Sequence, residues 1–265
     1  MGGAIHVGVG GWTYEPWRDN FYPKGLTQSR ELDYASRKLT AIEINGTYYG
    51  TQKRESWRKW AAAVPDGFCF TAKASRYCTN RRVLAEAGES IAKFLGQGLA
   101  ELGPKLGPIL WQFAPTKVFD RDDFARFLDL LPSEQEQVPL RHALEVRHPS
   151  FVDAAFVDQA RERGCAIVFA DHPDYPEIAD LTAPFVYARL QKTVAEEATG
   201  YSPDRLDHWA AVARAWAGGA APEGLSYAGD GAAGVGAQRD VYLFVISGAK
   251  ERNPAAAMAL IERLG

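Results

Sequence analysis

Eight short apolar segments run along this chain, separated by stretches of helical character, and most of them end in a polar or charged residue. They are Ile5–Gly10, Ala41–Asn45, Phe68–Lys73, Ile109–Phe113, Ala143–Arg147, Ala166–Ala170, Phe185–Leu190 and Val241–Ser247. Strand then helix, repeated eight times in about 250 residues, is the pattern of a (β/α)8 barrel. The 265 residues suit one α/β TIM-barrel domain over residues 1–265, and a 46% hydrophobic content fills its core. Chemistry in that fold sits at the C-terminal ends of the strands. The residues closing the segments are therefore the first candidates for a site.

Helix signals fall between the segments. Asp120 is placed to cap a helix with Phe124, Phe127, Leu128 and Leu131 on one face, stopped by Pro132. Trp57, Trp60, Ala61 and Val64 repeat that spacing. Ser150 and Asp153 suggest a capping box before Phe156, Val157 and Ala160. Ser202-Pro203 and Asn253-Pro254 each offer a cap followed by an N1 proline. Ile91, Phe94, Leu95 and Leu99 predict one helix ended by Gly103-Pro104, and the sixth helix, after Pro176, looks stunted. The stretch 218–238, rich in Gly and Ala, reads as a flexible loop at the bottom of the barrel. The stretch 11–25 follows the first strand and carries Trp12, Tyr14, Trp17, Phe21 and Tyr22. It reads either as a wall over a ligand or as a satellite core.

A net charge of −3 and a pI near 6.0 argue against a general polyanion binder. No apolar run reaches the roughly 18 residues of a membrane span. The start, Met1-Gly-Gly-Ala, lacks the features of a signal peptide. Three cysteines without CxxC spacing suit reduced thiols, and the expectation is a cytoplasmic protein.

Parity sorts the strand residues, since successive side chains point to opposite faces. With Ile42, Ile44, Leu144 and Val146 facing the helices, Glu43, Asn45, Glu145 and Arg147 face the barrel axis. Lys73, Gln112, Tyr187 and Arg189 follow by the same argument, with Asp171 at the end of the sixth strand. Buried ions cost several kcal/mol each unless paired. One reading is a self-satisfied ion network plugging the barrel. The other is a polar pocket, with Glu43, Glu145 and Lys73 as catalytic candidates and a carboxylate of raised pKa as acid or base. Asn45, Gln112, Arg147, Tyr187, Arg189, Trp12 and Asp171 would then bind a substrate that is small and anionic.

Other constellations are weaker. His148 and His172 follow strand ends, but five histidines do not assemble a transition-metal site; no metal or cofactor is expected, beyond weak magnesium on carboxylates. Gly8-Val9-Gly10-Gly11 lacks the third glycine of a dinucleotide fingerprint. Between Lys53 and Arg82 there are eight bases against two acids, with tyrosines nearby. A solvated helix face is favoured there over nucleic-acid binding.

These strand ends carry longer motifs. Trp12 follows Gly10-Gly11, and Trp17 precedes Phe21-Tyr22-Pro23. Glu43-Ile-Asn-Gly-Thr-Tyr48, Phe68-Cys-Phe-Thr-Ala-Lys73, Leu106-Gly-Pro-Ile-Leu-Trp-Gln-Phe-Ala-Pro115 and Glu145-Val-Arg-His-Pro-Ser150 come after them. In this order, from about Val7 to Leu264, the chain resembles the YecE-like proteins, the domain of unknown function 72. The resemblance implies a TIM barrel and no known activity. Two motifs depart from it. Gln191-Lys192 stands where the family has His-Gly after Tyr187 and Arg189. Val245-Ile246-Ser247 stands where it has Phe-Asn-Asn. No acid–base role for that histidine carries over. The leading expectation is an enzyme acting on a sugar-like or phosphorylated metabolite by acid/base chemistry, such as an isomerase, epimerase or lyase. The alternatives are a metal-dependent nucleic-acid phosphodiesterase and a non-catalytic small-molecule binder.

Overall fold

Strands that are apolar on both faces need cover on both, which a barrel ringed by helices supplies. A computed structural model describes residues 2–231 and 233–265; Met1 of the N-terminal stretch and Ala232 of the Gly/Ala stretch lie outside the described residues. Eight parallel strands close the barrel: β1 (Ile5–Gly10), β2 (Ala41–Ile44), β3 (Cys69–Lys73), β4 (Leu106–Gln112), β5 (His142–Glu145), β6 (Ala166–Asp171), β7 (Phe185–Leu190) and β8 (Asp240–Val245). Each pairs with its sequence neighbours, and β8 closes on β1. Around them lie α1 (Glu31–Ser36), α2 (Arg54–Ala63), α3 (Gly88–Leu95), α4 (Arg121–Asp129), α5 (Ala154–Glu162), α6 (Pro203–Ala217) and α7 (Asn253–Leu264). No helix of the described residues is long and apolar enough to cross a membrane. Cys69, Cys78 and Cys165 are buried and free.

Outward strand residues pack under the helices: Trp111 meets Phe94 and Phe127, and Phe169 meets Trp209 and Trp216. Inward residues such as Ala41, Leu110, Val168, Tyr187 and Phe244 form a second cluster along the axis. Asp120 caps α4 as expected, accepting from the amides of Asp122 and Asp123. Asp153 caps α5, whereas the Ser150 hydroxyl is used elsewhere, accepting from Phe119 N. Asn253 is not a cap. It begins α7 after a 3-10 turn, and its side chain joins Thr193 and Ser247. The single helix expected across 91–103 is divided: α3 stops at Leu95, and Gly98, at φ 115°, turns the chain into a 3-10 segment that starts at Leu99. A two-residue hairpin, Glu134–Gln135 with Val138–Pro139, also went unread. Its turn residues Glu136 and Gln137 take positive φ without the Asn or Gly that would signal it.

The sixth helix is absent. Residues 172–184 run from β6 to β7 without one, and the Gly/Ala stretch packs there. Asp180, buried, accepts from Ala228 N at 2.7 Å and Gly229 N at 3.1 Å, while Ser226 O accepts from Ala179 N. The irregular loop expected at 218–238 is thus tied to the barrel wall. Asp180→Ala leaves two backbone donors unsatisfied and is expected to cost about 1–3 kcal/mol. Limited proteolysis should then cut within residues 218–238 faster than in the unaltered protein. An unchanged cleavage rate would show that Asp180 does not hold the loop.

Candidate functional site

Strand register brings the inward polar side chains to one level. Gln112 lies beside Glu145, and Glu43 beside Thr71. Arg189, only 3% exposed, reaches between the two carboxylates. Its Nη1 donates to Glu145 Oε2 at 2.6 Å and its Nη2 to Glu43 Oε1 at 3.1 Å. The Tyr187 hydroxyl donates to Glu43 Oε2 at 2.6 Å and lies 3.0 Å from Thr71 Oγ1. Gln112 Nε2 donates to Glu145 Oε2 at 2.7 Å. Arg147 takes the other oxygen, through Nε at 3.1 Å and Nη2 at 2.9 Å, and lays its guanidinium 4.5 Å from the Tyr175 ring centre. Lys73 Nζ sits 4.3 Å above the Tyr48 ring, and among the described residues no carboxylate pairs with it.

Charge sets the protonation of this group. Burial alone would raise the Glu145 carboxyl, but Arg189 and Arg147 outweigh it and hold the pKa at about 2. Burial opposes the Arg189 charge as well, yet Glu145 and Glu43 hold it firmly cationic. Burial and the nearby Glu43 push Tyr187 well above its ordinary value, so it stays a donor. Burial, then the Arg189 charge, bring Lys73 down to about 8.

Seven of the residues singled out by sequence therefore converge: Glu43, Lys73, Gln112, Glu145, Arg147, Tyr187 and Arg189. Their arrangement corrects parts of the expectation. A carboxylate of raised pKa is not found at Glu145, because two guanidiniums flank it. Arg189 spends both Nη atoms on Glu43 and Glu145, while its buried Nε has no hydrogen-bond partner among the described residues. Asp171 does not join the group. It shares the outward parity of Phe169, and it pairs with Lys192 Nζ at 2.7 Å and Arg205 Nη2 of α6 at 3.6 Å. Lys192, which departs from the family pattern, thus has an ion-pair partner.

Asn45 and Trp12 line a separate cavity of about 300 Å3 at the ends of β1 and β2, with Tyr14, Gln52, Trp60 and Lys250. The aromatic stretch divides into two parts. Phe21 and Tyr22 are buried against Tyr34 and Trp17 against both of them, as a satellite core, while Trp12 and Tyr14 wall the cavity. Thr71, Tyr175 and Lys250 were not singled out from the sequence, and Tyr48 entered only as the end of a motif and a neighbour of the basic stretch. Thr71 alone carried a signal, being two residues before Lys73 on the same strand face.

His148 Nδ1 is engaged with Ser150, and His172 stacks on Tyr175 at 3.9 Å. Among the described residues, no three His, Cys, Asp or Glu side chains are grouped to hold a metal ion. The basic run divides in two. Arg54 and Arg58 on α2 pair with Glu101, and Arg54 also with Glu136, whereas Arg76, Arg81 and Arg82 stand after β3, Arg76 in a one-turn helix (Arg76–Thr79) and the other two beyond it.

A family model described as protein of unknown function DUF72 matches residues 6–265. No curated protein matches the chain. Among solved structures, a DUF72 family protein of Enterococcus faecalis V583 is 17% identical, with a TM-score of 0.70, covering 99% of this chain and 98% of its own. One from Thermotoga maritima MSB8 is 22% identical, with a TM-score of 0.68 and 97% of each chain covered. At these identities the likeness is one of fold.

Proposed function

The chain belongs to the DUF72 family of proteins of unknown function, and from that premise we propose an enzyme acting on a small polar or anionic metabolite at the C-terminal barrel face, with Lys73 moving a proton. The observation that carries this reading is the Lys73 amine. It ends β3, has no carboxylate partner among the described residues, and is held near pH 8 by burial and by Arg189. A base or acid works best when its pKa lies near the working pH. Glu43, Glu145, Gln112, Tyr187 and Arg189 form a fixed charge frame beneath it. Arg147, partly exposed, would meet a substrate anion. The group holds three cations against two carboxylates, so an anion completes its balance.

Two measurements test this. A small acylating reagent should modify Lys73 with a midpoint near pH 8, below that of the exposed lysines. A panel of sugar acids and sugar phosphates in deuterium oxide, followed by mass spectrometry, should show carbon-bound exchange that Lys73→Met abolishes. Exchange that survives Lys73→Met, or a Lys73 that is acylated only at the pH of exposed lysines, would overturn the assignment.

A further inference from the structure

Two cavities, of about 430 and about 580 Å3, open over the turns that follow β2, β3 and β4, and no barrel-strand residue lines either. The 300 Å3 cavity differs, because Gly10 of β1 and Ile44 of β2 form part of its floor. That places it at the strand ends, where ligands bind in this architecture. Its volume lies at the small end of ligand pockets, room for one ring rather than two.

The chemistry of the walls is mixed in a specific way. Trp12 and Trp60 stand edge to face, 5.3 Å apart and 78° to one another, with Tyr14 beside them. Such faces suit the C–H face of a pyranose ring. Among the described residues, no acidic side chain lines the cavity. Its one charge is Lys250, whose Nζ lies 4.0 Å from the Tyr14 ring centre and which forms no ion pair among the described residues. Burial lowers the Lys250 pKa, as expected of an ammonium short of solvent and of counter-charge. The Lys250 backbone is fixed, because its carbonyl accepts from Trp17 Nε1 at 2.9 Å. The Gln52 side-chain amide and the Thr13 hydroxyl carry no hydrogen bond among the described residues, and the Asn45 amide makes one long bond of 3.4 Å to Glu43 O. One unpaired amide, one amide held only by a long bond, an exposed hydroxyl and an ammonium without an ion-pair partner, beside aromatic faces, match a polyhydroxylated ring with one acidic group.

We propose that this cavity binds a monosaccharide bearing a single carboxylate or phosphate, its ring against Trp12 and Trp60 and its acid on Lys250. The proposal rests on the reading of this barrel face as functional, and it goes beyond the Lys73 group in giving that face a second ligand site, lined by neither Lys73 nor Arg147.

Calorimetric titrations with glucuronate, glucose 6-phosphate, glucose and inorganic phosphate test it, on the unaltered protein, Lys250→Met, Gln52→Ala and Lys73→Met. An acidic sugar should bind about tenfold or more tighter than glucose, the weight of one charge-assisted contact. Lys250→Met should erase that difference, and Gln52→Ala should weaken acidic and neutral sugars alike. Whichever acidic sugar binds tighter identifies the acid group. Glucose binding as tightly as both acids, or inorganic phosphate binding as tightly as glucose 6-phosphate, would overturn the proposal. Binding lost in Lys73→Met and kept in Lys250→Met would also overturn it, while leaving the Lys73 reading in place. Lys250→Met should unfold at nearly the unaltered temperature, so lost binding there is not lost folding.

Discussion

Arg189→Met is expected to destabilise the protein by about 3–5 kcal/mol, because it leaves the Glu43 and Glu145 carboxylates buried without the guanidinium between them. For a chain of this size that is a fall of roughly 6–20 °C in Tm. The cause is uncompensated charge rather than lost volume. The triple variant Glu43→Gln, Glu145→Gln, Arg189→Met should therefore recover most of the loss, since a whole buried ion group can often be replaced at little cost. Calorimetry on the single and triple variants separates the two causes; a triple no more stable than the single would show that packing, not charge, governs the site. The pH dependence has a definite sign. Glu145 titrates at about 2 when folded, against an ordinary 4.5. Its contribution is fully present above the ordinary value and is lost as pH falls toward 2. In Arg189→Met that acid-side loss should shrink.

Gly8→Ala should be of similar severity, above about 3 kcal/mol, beyond the usual range for overpacking. A Cβ on Gly8 would lie 1.9 Å from the Ala41 carbonyl oxygen of β2. The obstacle is backbone on a paired strand, so no side chain can turn aside to relieve it. Gly25→Ala is the control. Gly25 has φ +81° with nothing within 4 Å, so it carries only left-handed backbone strain, about 1–2 kcal/mol. Denaturant titration of both variants checks the contrast. A Gly8→Ala protein as stable as Gly25→Ala would mean that β1 and β2 separate easily.

The barrel was readable because its strands obey a period of two and its helices carry caps. Parity alone placed Glu43, Lys73, Gln112, Glu145, Tyr187 and Arg189 on the inside. It did not show which charge pairs with which. Arg189 bridging two carboxylates depends on reach across the axis, and no local pattern encodes that. Asp171 was misleading for a related reason. It ends a strand in a charge, but the side chains that meet it, Lys192 and Arg205, come from further along the chain. β4 begins at Leu106, earlier than read, because Gly107-Pro108 resembles a break. Lys250 lies beyond the last strand in a short 3-10 turn, with no periodicity to mark it.

The missing helix between β6 and β7 bears on the order in which the molecule assembles. A barrel of strand–helix units can be covered progressively as the chain is made, each helix closing over the strand before it. Here the cover for residues 177–183 comes from a segment whose anchoring contact, Ala228 to Asp180, spans 48 residues. That contact forms only after β7 and α6 have been made. Contacts between distant parts of a chain form late and slow the folding rate. During synthesis residues 177–183 therefore stay uncovered while β7 and α6 are made, and over that interval the apolar side chains among them are open to a neighbouring chain.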